Sequence, residues 1–138
     1  MTNCIFCKIA AGEIPSTRVY EDDLCIAFLD ISPIVPGHVL VVPRFHHDAI
    51  TSTPPDLAAH LLNVAQRIAA AQKSALGAAA VNVFTNDGPL AGQSVFHTHF
   101  HVIPQYPDLH HDWNWSSTPY ASPADAASFA SRLSSALR

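Results

Sequence analysis

Short apolar runs bounded by turn-forming residues dominate the first hundred residues of the chain. Leu24-Cys25-Ile26-Ala27-Phe28-Leu29 is apolar enough for a central strand, and His38-Val39-Leu40-Val41-Val42-Pro43 predicts a second strong one. Arg18-Val19-Tyr20, set off from the first run by Glu21-Asp22-Asp23, predicts a hairpin. Ala80–Phe84 and Val95–Ile103 complete the strands, joined by the turn-rich segment from Asn86 to Ser94. Elsewhere the period is helical. After Thr53-Pro54-Pro55-Asp56, the residues Leu57, Leu61, Val64, Ile68 and Ala71 recur on one face, which predicts a long helix lying across the sheet. A short helix from about Cys4 to Ala10, capped by Asn3, shows Ile5, Phe6 and Ile9 on its apolar side. Ser122-Pro123 opens a last helix carrying Phe129, Leu133 and Leu137. Strands following one another around one long helix predict an α+β fold with a mostly antiparallel, five-stranded meander sheet.

Composition narrows this picture. A length of 138 residues suits one globular unit, with residues 1–106 as the domain proper and 107–138 as a helical tail folded onto it. Hydrophobic residues make up 49% and charged residues 13%, which excludes a disordered chain. A net charge of -4, with seven Lys and Arg scattered along the sequence, leaves no basic stripe for extended DNA or RNA. No apolar run reaches the roughly 18 residues of a membrane span, and the first residues lack a basic stretch followed by an apolar one, so a cytoplasmic protein is expected. Three cysteines do not make a disulfide framework. Cys4-x-x-Cys7 has metal-ligand or redox spacing, whereas Cys25 reads as a small core residue.

Histidine is the residue in excess: there are nine, more than Lys and Arg together. In His97-x-His99-x-His101 a strand period of two places three imidazoles on one face, with Phe96, Thr98, Phe100 and Val102 turned toward the long helix. An imidazole titrates near pH 6.5, so such a row offers neutral nitrogens as nucleophiles or ligands and protonated ones as anion donors. Two chemistries follow. One is a catalytic metal on three histidines with an open fourth position; the other is attack by a ring nitrogen.

Asn86-Asp87-Gly88, Gly92-Gln93-Ser94-Val95 and His97-x-His99-x-His101-Val102-Ile103 resemble the signature of the histidine triad (HIT) superfamily of nucleotide hydrolases and transferases. The resemblance takes in Cys4-Ile5-Phe6-Cys7, Gly12-Glu13-Ile14-Pro15, Asp30-Ile31-Ser32-Pro33 and Pro36-Gly37-His38 through Pro43, with His46. It covers residues 4 to 106 in order and leaves out the tail from Pro107.

The resemblance implies a HIT-like fold and a nucleotide substrate, with a purine base as the family's usual preference. It implies His99 as the nucleophile toward an α-phosphorus, with a backbone carbonyl holding the proton of its other nitrogen. His101 and His38 would complete the phosphate site, joined by Asn86, Gln93 and Ser94, the last also positioning or protonating the leaving group. Asp30 would bind the ribose, and Ile5, Phe6, Ile9, Phe28 and Ile31 would line a slot for the base. As in bacterial-type members, Cys4, Cys7, His46 and His97 would hold a structural Zn2+. Either His46 or its neighbour His47 can turn toward that metal, while His60, His110 and His111 are expected at the surface. A homodimer is implied by the same likeness. Thr98 stands where the family has an apolar residue, and Asp108 through Trp115 does not match the Trp-Pro-Pro ending of the adenosine phosphoramidase branch. Dinucleoside polyphosphates, nucleoside phosphoramidates and adenylates all fit this reading. The alternatives are a zinc-dependent hydrolase built on the three strand histidines and a nucleotide-binding module with negligible turnover.

Overall fold

The computed structural model of the protein describes residues 3–111 and 117–138. The Trp113-Asn114-Trp115 stretch of the tail lies outside the described residues. In chain order the elements are α1 (Ile5–Ala10), β1 (Arg18–Glu21), β2 (Cys25–Leu29), β3 (Val39–Pro43), α2 (Pro55–Leu76), β4 (Ala80–Phe84), β5 (Phe100–Gln105) and α3 (Pro123–Ala136). Single 3-10 turns at Ile50–Ser52 and Pro89–Ala91 punctuate the connections.

The expected α+β architecture is present, with one correction to the strand order. All pairings are antiparallel, but the order is β1-β2-β3-β5-β4 and not a strict meander. Helix α2 separates β3 from β4 in sequence, and β4 then takes the outer edge while β5 returns between it and β3. The strand that carries His101 is therefore flanked on both sides.

Local chemistry accounts for several helix ends. Pro55 starts α2, and Gly77 ends it in the left-handed region at φ 75°. Ser122 caps α3 by accepting the Asp125 amide at 3.0 Å. Asn3 does not cap α1; the Cys4 sulfur accepts the Cys7 amide at 3.4 Å instead, so the Cys-x-x-Cys spacing is also the helix start.

The sheet has a core on each face. On one, Ala27, Leu29, Val39, Val41, Phe100 and Val102 pack with Leu61, Val64 and Ile68 of α2 and with Ala130 and Leu133 of α3. On the other, Ile26, Phe28, Leu40 and Val42 pack against Phe6 and Ile9 of α1. β2 and β3 are thus buried on both faces, which explains why their sequences are continuously apolar.

The last predicted strand begins later than its alternation implies, at Phe100 and not Val95. The Thr98 amide donates to the His47 carbonyl at 2.7 Å, so this stretch is tied to the loop after β3 before it joins the sheet. Phe96, expected under α2, is 51% exposed in consequence.

Leu133 is fully buried in the core shared with α2 and the sheet. Truncation to alanine is expected to lower the unfolding free energy by about 2–5 kcal/mol, measured by denaturant titration. A loss below about 1 kcal/mol would show that α3 is not part of the cooperative core.

Candidate functional site

His97, His99 and His101 leave the chain where it enters β5, and their rings meet Phe6 and Phe84. The Phe6 ring stands edge-on to His97 at 5.7 Å and to His99 at 5.1 Å, centroid to centroid. The rings of His99 and His101 are 5.0 Å apart, and Phe84, from the end of β4, stacks on His101 at 4.8 Å and 18°. The expectation that the three rings share one side of the chain is met, although only His101 lies within the strand.

Hydrogen bonds decide which nitrogen of each ring carries the proton. His99 Nδ1 lies 2.7 Å from the His97 carbonyl, and because a carbonyl only accepts, Nδ1 is the protonated atom. A neutral His99 therefore keeps its lone pair on Nε2. Burial depresses the pKa of this ring, against opposing effects from that carbonyl bond and from Asp30, so the neutral form is favoured.

His38 and His101 form a directed pair. The Ile34 amide donates to His38 Nδ1 at 3.1 Å, so a neutral His38 has its proton on Nε2. His38 Nε2 then faces His101 Nδ1 at 3.0 Å and donates to it. This leaves the proton of a neutral His101 on Nε2, an N–H donor for an anion. Burial, reinforced by the neighbouring imidazoles, lowers the pKa of His38 to about 3 and that of His101 to about 4. Asp30 stands beside this pair: its Oδ1 accepts the Ser32 amide at 2.9 Å, and its Oδ2 is 3.8 Å from His38 Nε2. Burial raises the pKa of this carboxyl.

Other residues singled out in the sequence are placed differently. Gln93 is buried and committed to the loop, accepting the Gly88 amide at 2.7 Å and donating to the carbonyls of Asp48 and Val95. It shapes the loop instead of facing outward. The amides of Ala91, Gly92 and Gln93 are also bonded within that turn. Ser94 is exposed, and Asn86 is half-buried near Gly92. Phe6, Ile9 and Phe28 belong to the core beneath α1, while Ile5 is 46% and Ile31 94% exposed. The five residues expected to line a slot are thus divided between core and surface.

Cys4, Cys7, His46 and His97 do converge, with one ligand atom from each within 4.8 Å of the others. His97 Nδ1 is 3.3 Å from Cys4 Sγ and 3.5 Å from Cys7 Sγ, and His46 Nδ1 is 3.5 Å from Cys7 Sγ. A tetrahedron with Zn–S bonds of about 2.3 Å and Zn–N bonds of about 2.0 Å has S···N edges of about 3.5 Å, so these residues fit a tetrahedral ion. Their outer nitrogens fit as well. His97 Nε2 donates to the Pro43 carbonyl at 2.8 Å and His46 Nε2 to Asp48 at 2.7 Å, which leaves both Nδ1 lone pairs toward the sulfurs. His46, and not His47, is the ring at this site.

Three contributors went unrecognised in the sequence. Thr85 donates to the His99 carbonyl at 2.7 Å, Phe84 stacks on His101, and Thr53 pairs with Thr98 hydroxyl to hydroxyl at 2.7 Å. That pairing explains how a polar residue is tolerated between two buried histidines. Thr85 and Thr53 carry no local pattern that marks them. Of the three histidines expected at the surface, His110 is exposed, and His60 and His111 are half-buried, bonded to Asp22 and Gln105.

The chain is similar to known proteins in sequence and in fold. Residues 11–108 match the HIT domain. Protein hit of Bacillus subtilis is 46% identical over 104 residues, 75% of this chain and 72% of that protein. Adenylylsulfatase HINT3 of Arabidopsis thaliana is 41% identical over 103 residues, 75% of this chain but only 52% of that longer relative. The crystal structure of a zinc-bound histidine triad family protein from Mycobacterium smegmatis superposes with a TM-score of 0.85 at 36% identity, covering 99% of this chain and 94% of that one.

The depressed pKa values set a pH dependence of stability. An unfolded chain protonates His38 and His101 near pH 6.5, whereas the folded chain resists protonation down to about 3 and about 4. The unfolded state then binds more protons in this window, so stability is full above pH 6.5 and falls as pH drops toward 4. Each ring is expected to contribute up to about 1.4 kcal/mol per pH unit to that slope. Denaturant titrations at several pH values should show a shallower slope in the double variant His38→Asn, His101→Asn. An unchanged slope would contradict the assignment.

Proposed function

The chain belongs to the HIT family, and from that premise we propose that it is a nucleotide hydrolase or nucleotidyltransferase working through a nucleotidyl group carried on His99. The observation that supports this most is the hydrogen bond from His99 Nδ1 to the His97 carbonyl, because it leaves the Nε2 lone pair available without prior deprotonation.

In the first step His99 Nε2 forms a bond to the α-phosphorus, and the bond from phosphorus to the leaving nitrogen or oxygen breaks. The leaving group departs with that electron pair and is protonated from Ser94 or from water. His101 Nε2–H donates to a non-bridging oxygen as charge grows there. In the second step water adds to the phosphorus as the phosphorus–nitrogen bond breaks; one water proton passes to the Ser94 oxygen that gave up its own in the first step, or to solvent, and His99 recovers its lone pair as the nucleoside monophosphate leaves. Asp30 accepts hydrogen bonds from the ribose diol. Asn86 contacts the nucleotide, and Gln93 holds the loop that carries Ser94. The substrate class is an adenylate, a nucleoside phosphoramidate or a dinucleoside polyphosphate; the name of the Arabidopsis relative makes adenylyl sulfate a natural first member of the panel. The proposal extends to a purine base, a homodimer and a cytoplasmic setting.

Cys4, Cys7, His46 and His97 would hold a structural zinc, whose four protein ligands leave no open position for chemistry. A catalytic metal on the three histidines of the motif is less well supported. Their nitrogens are divided among a carbonyl, the His38 ring and the cysteines, and among the described residues no ligand group unites all three.

Rapid-quench incubation with adenosine phosphoramidate and adenylyl sulfate is expected to trap an acid-labile adenylyl group on wild type and none on His99→Ala. Turnover by the variant should fall by about 10³-fold or more. With metal content measured in parallel, wild type should carry zinc, and mild chelation should lower thermal stability while leaving initial turnover intact. Retained hydrolysis in His99→Ala, or immediate loss of turnover on chelation, would overturn this mechanism.

A further inference from the structure

The turn immediately before His38 is held by side chains from three separate parts of the fold. Gly37 sits at φ +94°, and a Cβ there would lie 2.7 Å from Leu76 Cδ1 and 2.9 Å from Tyr106 Oη, so a side chain would strain the backbone and displace both groups. Both of its backbone polar groups are taken by side chains. Its amide donates to Tyr120 Oη at 2.8 Å, and its carbonyl accepts from Gln72 Nε2 at 3.0 Å. Tyr106 Oη donates to the neighbouring Pro36 carbonyl at 2.6 Å. Gln72 is wholly buried on α2, and its second amide hydrogen goes to the Val102 carbonyl of β5 at 2.9 Å, next to His101.

The tail reinforces the same loop. Thr118 donates its amide to the Pro33 carbonyl at 2.7 Å, and Ser117 adds a hydroxyl bond to that carbonyl at 3.3 Å. The residues so held, Pro33 to Gly37, include Ile34, whose amide sets the proton of His38. Burial keeps both phenols neutral, raising Tyr120 to about 12 and Tyr106 further. Tyr120 lies beyond residues 11–108, the part of the chain that matches the HIT domain.

We propose that Gln72, Tyr106 and Tyr120 are positioning residues for the His38–His101 pair. By fixing the Pro33–Gly37 turn they hold the Ile34 amide against His38 Nδ1, which directs the His38 proton to His101 Nδ1 and keeps the His101 proton on Nε2, facing the substrate. The tail is then part of the phosphate-binding apparatus and not an appendage to it. This rests on the function proposed above only for its kinetic readout; the direction of the proton is a property of the free protein.

The test compares wild type, Tyr120→Phe and Tyr106→Phe by steady-state kinetics on adenosine phosphoramidate and by ¹⁵N imidazole spectra of the free proteins at pH 7.5. Tyr120→Phe is expected to lose about tenfold in kcat with KM within about twofold, because a misplaced donor fails in the transition state more than in ground-state binding. Its His101 signals should move from a single Nε2–H tautomer to a mixture. Tyr106→Phe should show the same two changes, which keeps the proposal testable should Tyr120→Phe fold poorly. A control, Ala130→Gly, loosens α3 within the core and should lower thermal stability without moving the His101 tautomer. Unchanged kcat and an unchanged tautomer in both tyrosine variants would overturn the proposal. Absence of turnover by wild type would instead refute the assigned activity, leaving the spectra to decide the positioning role.

Discussion

A neutral imidazole has one proton for two nitrogens, and burial keeps the rings at the centre of this site neutral. Whatever bonds to one nitrogen therefore dictates the role of the other. A carbonyl against His99 Nδ1 leaves the lone pair on Nε2. A carbonyl against His97 Nε2 turns Nδ1 toward the cysteines. A backbone amide against His38 Nδ1 passes through His38 to make His101 a donor. Three rings spaced two residues apart thus differ in which nitrogen keeps its lone pair and in what that nitrogen faces, set by backbone groups acting directly or, for His101, through His38.

The fold supplies those backbone groups at fixed positions. β5 lies between β3 and β4, so the segment that leads into it and its first residues meet both neighbours: His97 bonds to a carbonyl at the end of β3, the His99 carbonyl accepts the Thr85 hydroxyl, and Phe84 stacks on His101. Helix α1 covers the opposite face of the sheet from α2, and through Phe6 it closes over His97 and His99. Cys4 serves twice, capping α1 and standing with Cys7 at the converged ligand set. A metal bound there would couple α1 to the loop after β3 and to the start of the histidine segment.

Much of this was legible in the sequence, for identifiable reasons. Continuous apolar runs gave β2 and β3, helical spacing gave α2, and alternation put the three rings on one side. Strand order was not legible, because alternation reports which face a residue takes and not which strand lies beside it. The late start of β5 was hidden for a related reason: the partner of the Thr98 amide is the His47 carbonyl, about fifty residues away in sequence. The nucleotide contact that the resemblance implies for Gln93 carries no information on its partners, the Gly88 amide and the carbonyls of Asp48 and Val95, which only the fold brings to it. Gln72 did leave a trace. It falls four residues after Ile68, on the apolar stripe of α2, and a polar residue there must find buried partners.

The account depends on where the protons sit, and one spectrum reads that directly. A two-bond ¹H–¹⁵N correlation of the histidine side chains at pH 7.5 is predicted to show His99 as the Nδ1–H tautomer and His38, His46, His97 and His101 as Nε2–H tautomers. His99 protonated on Nε2, or His101 protonated on Nδ1, would contradict it.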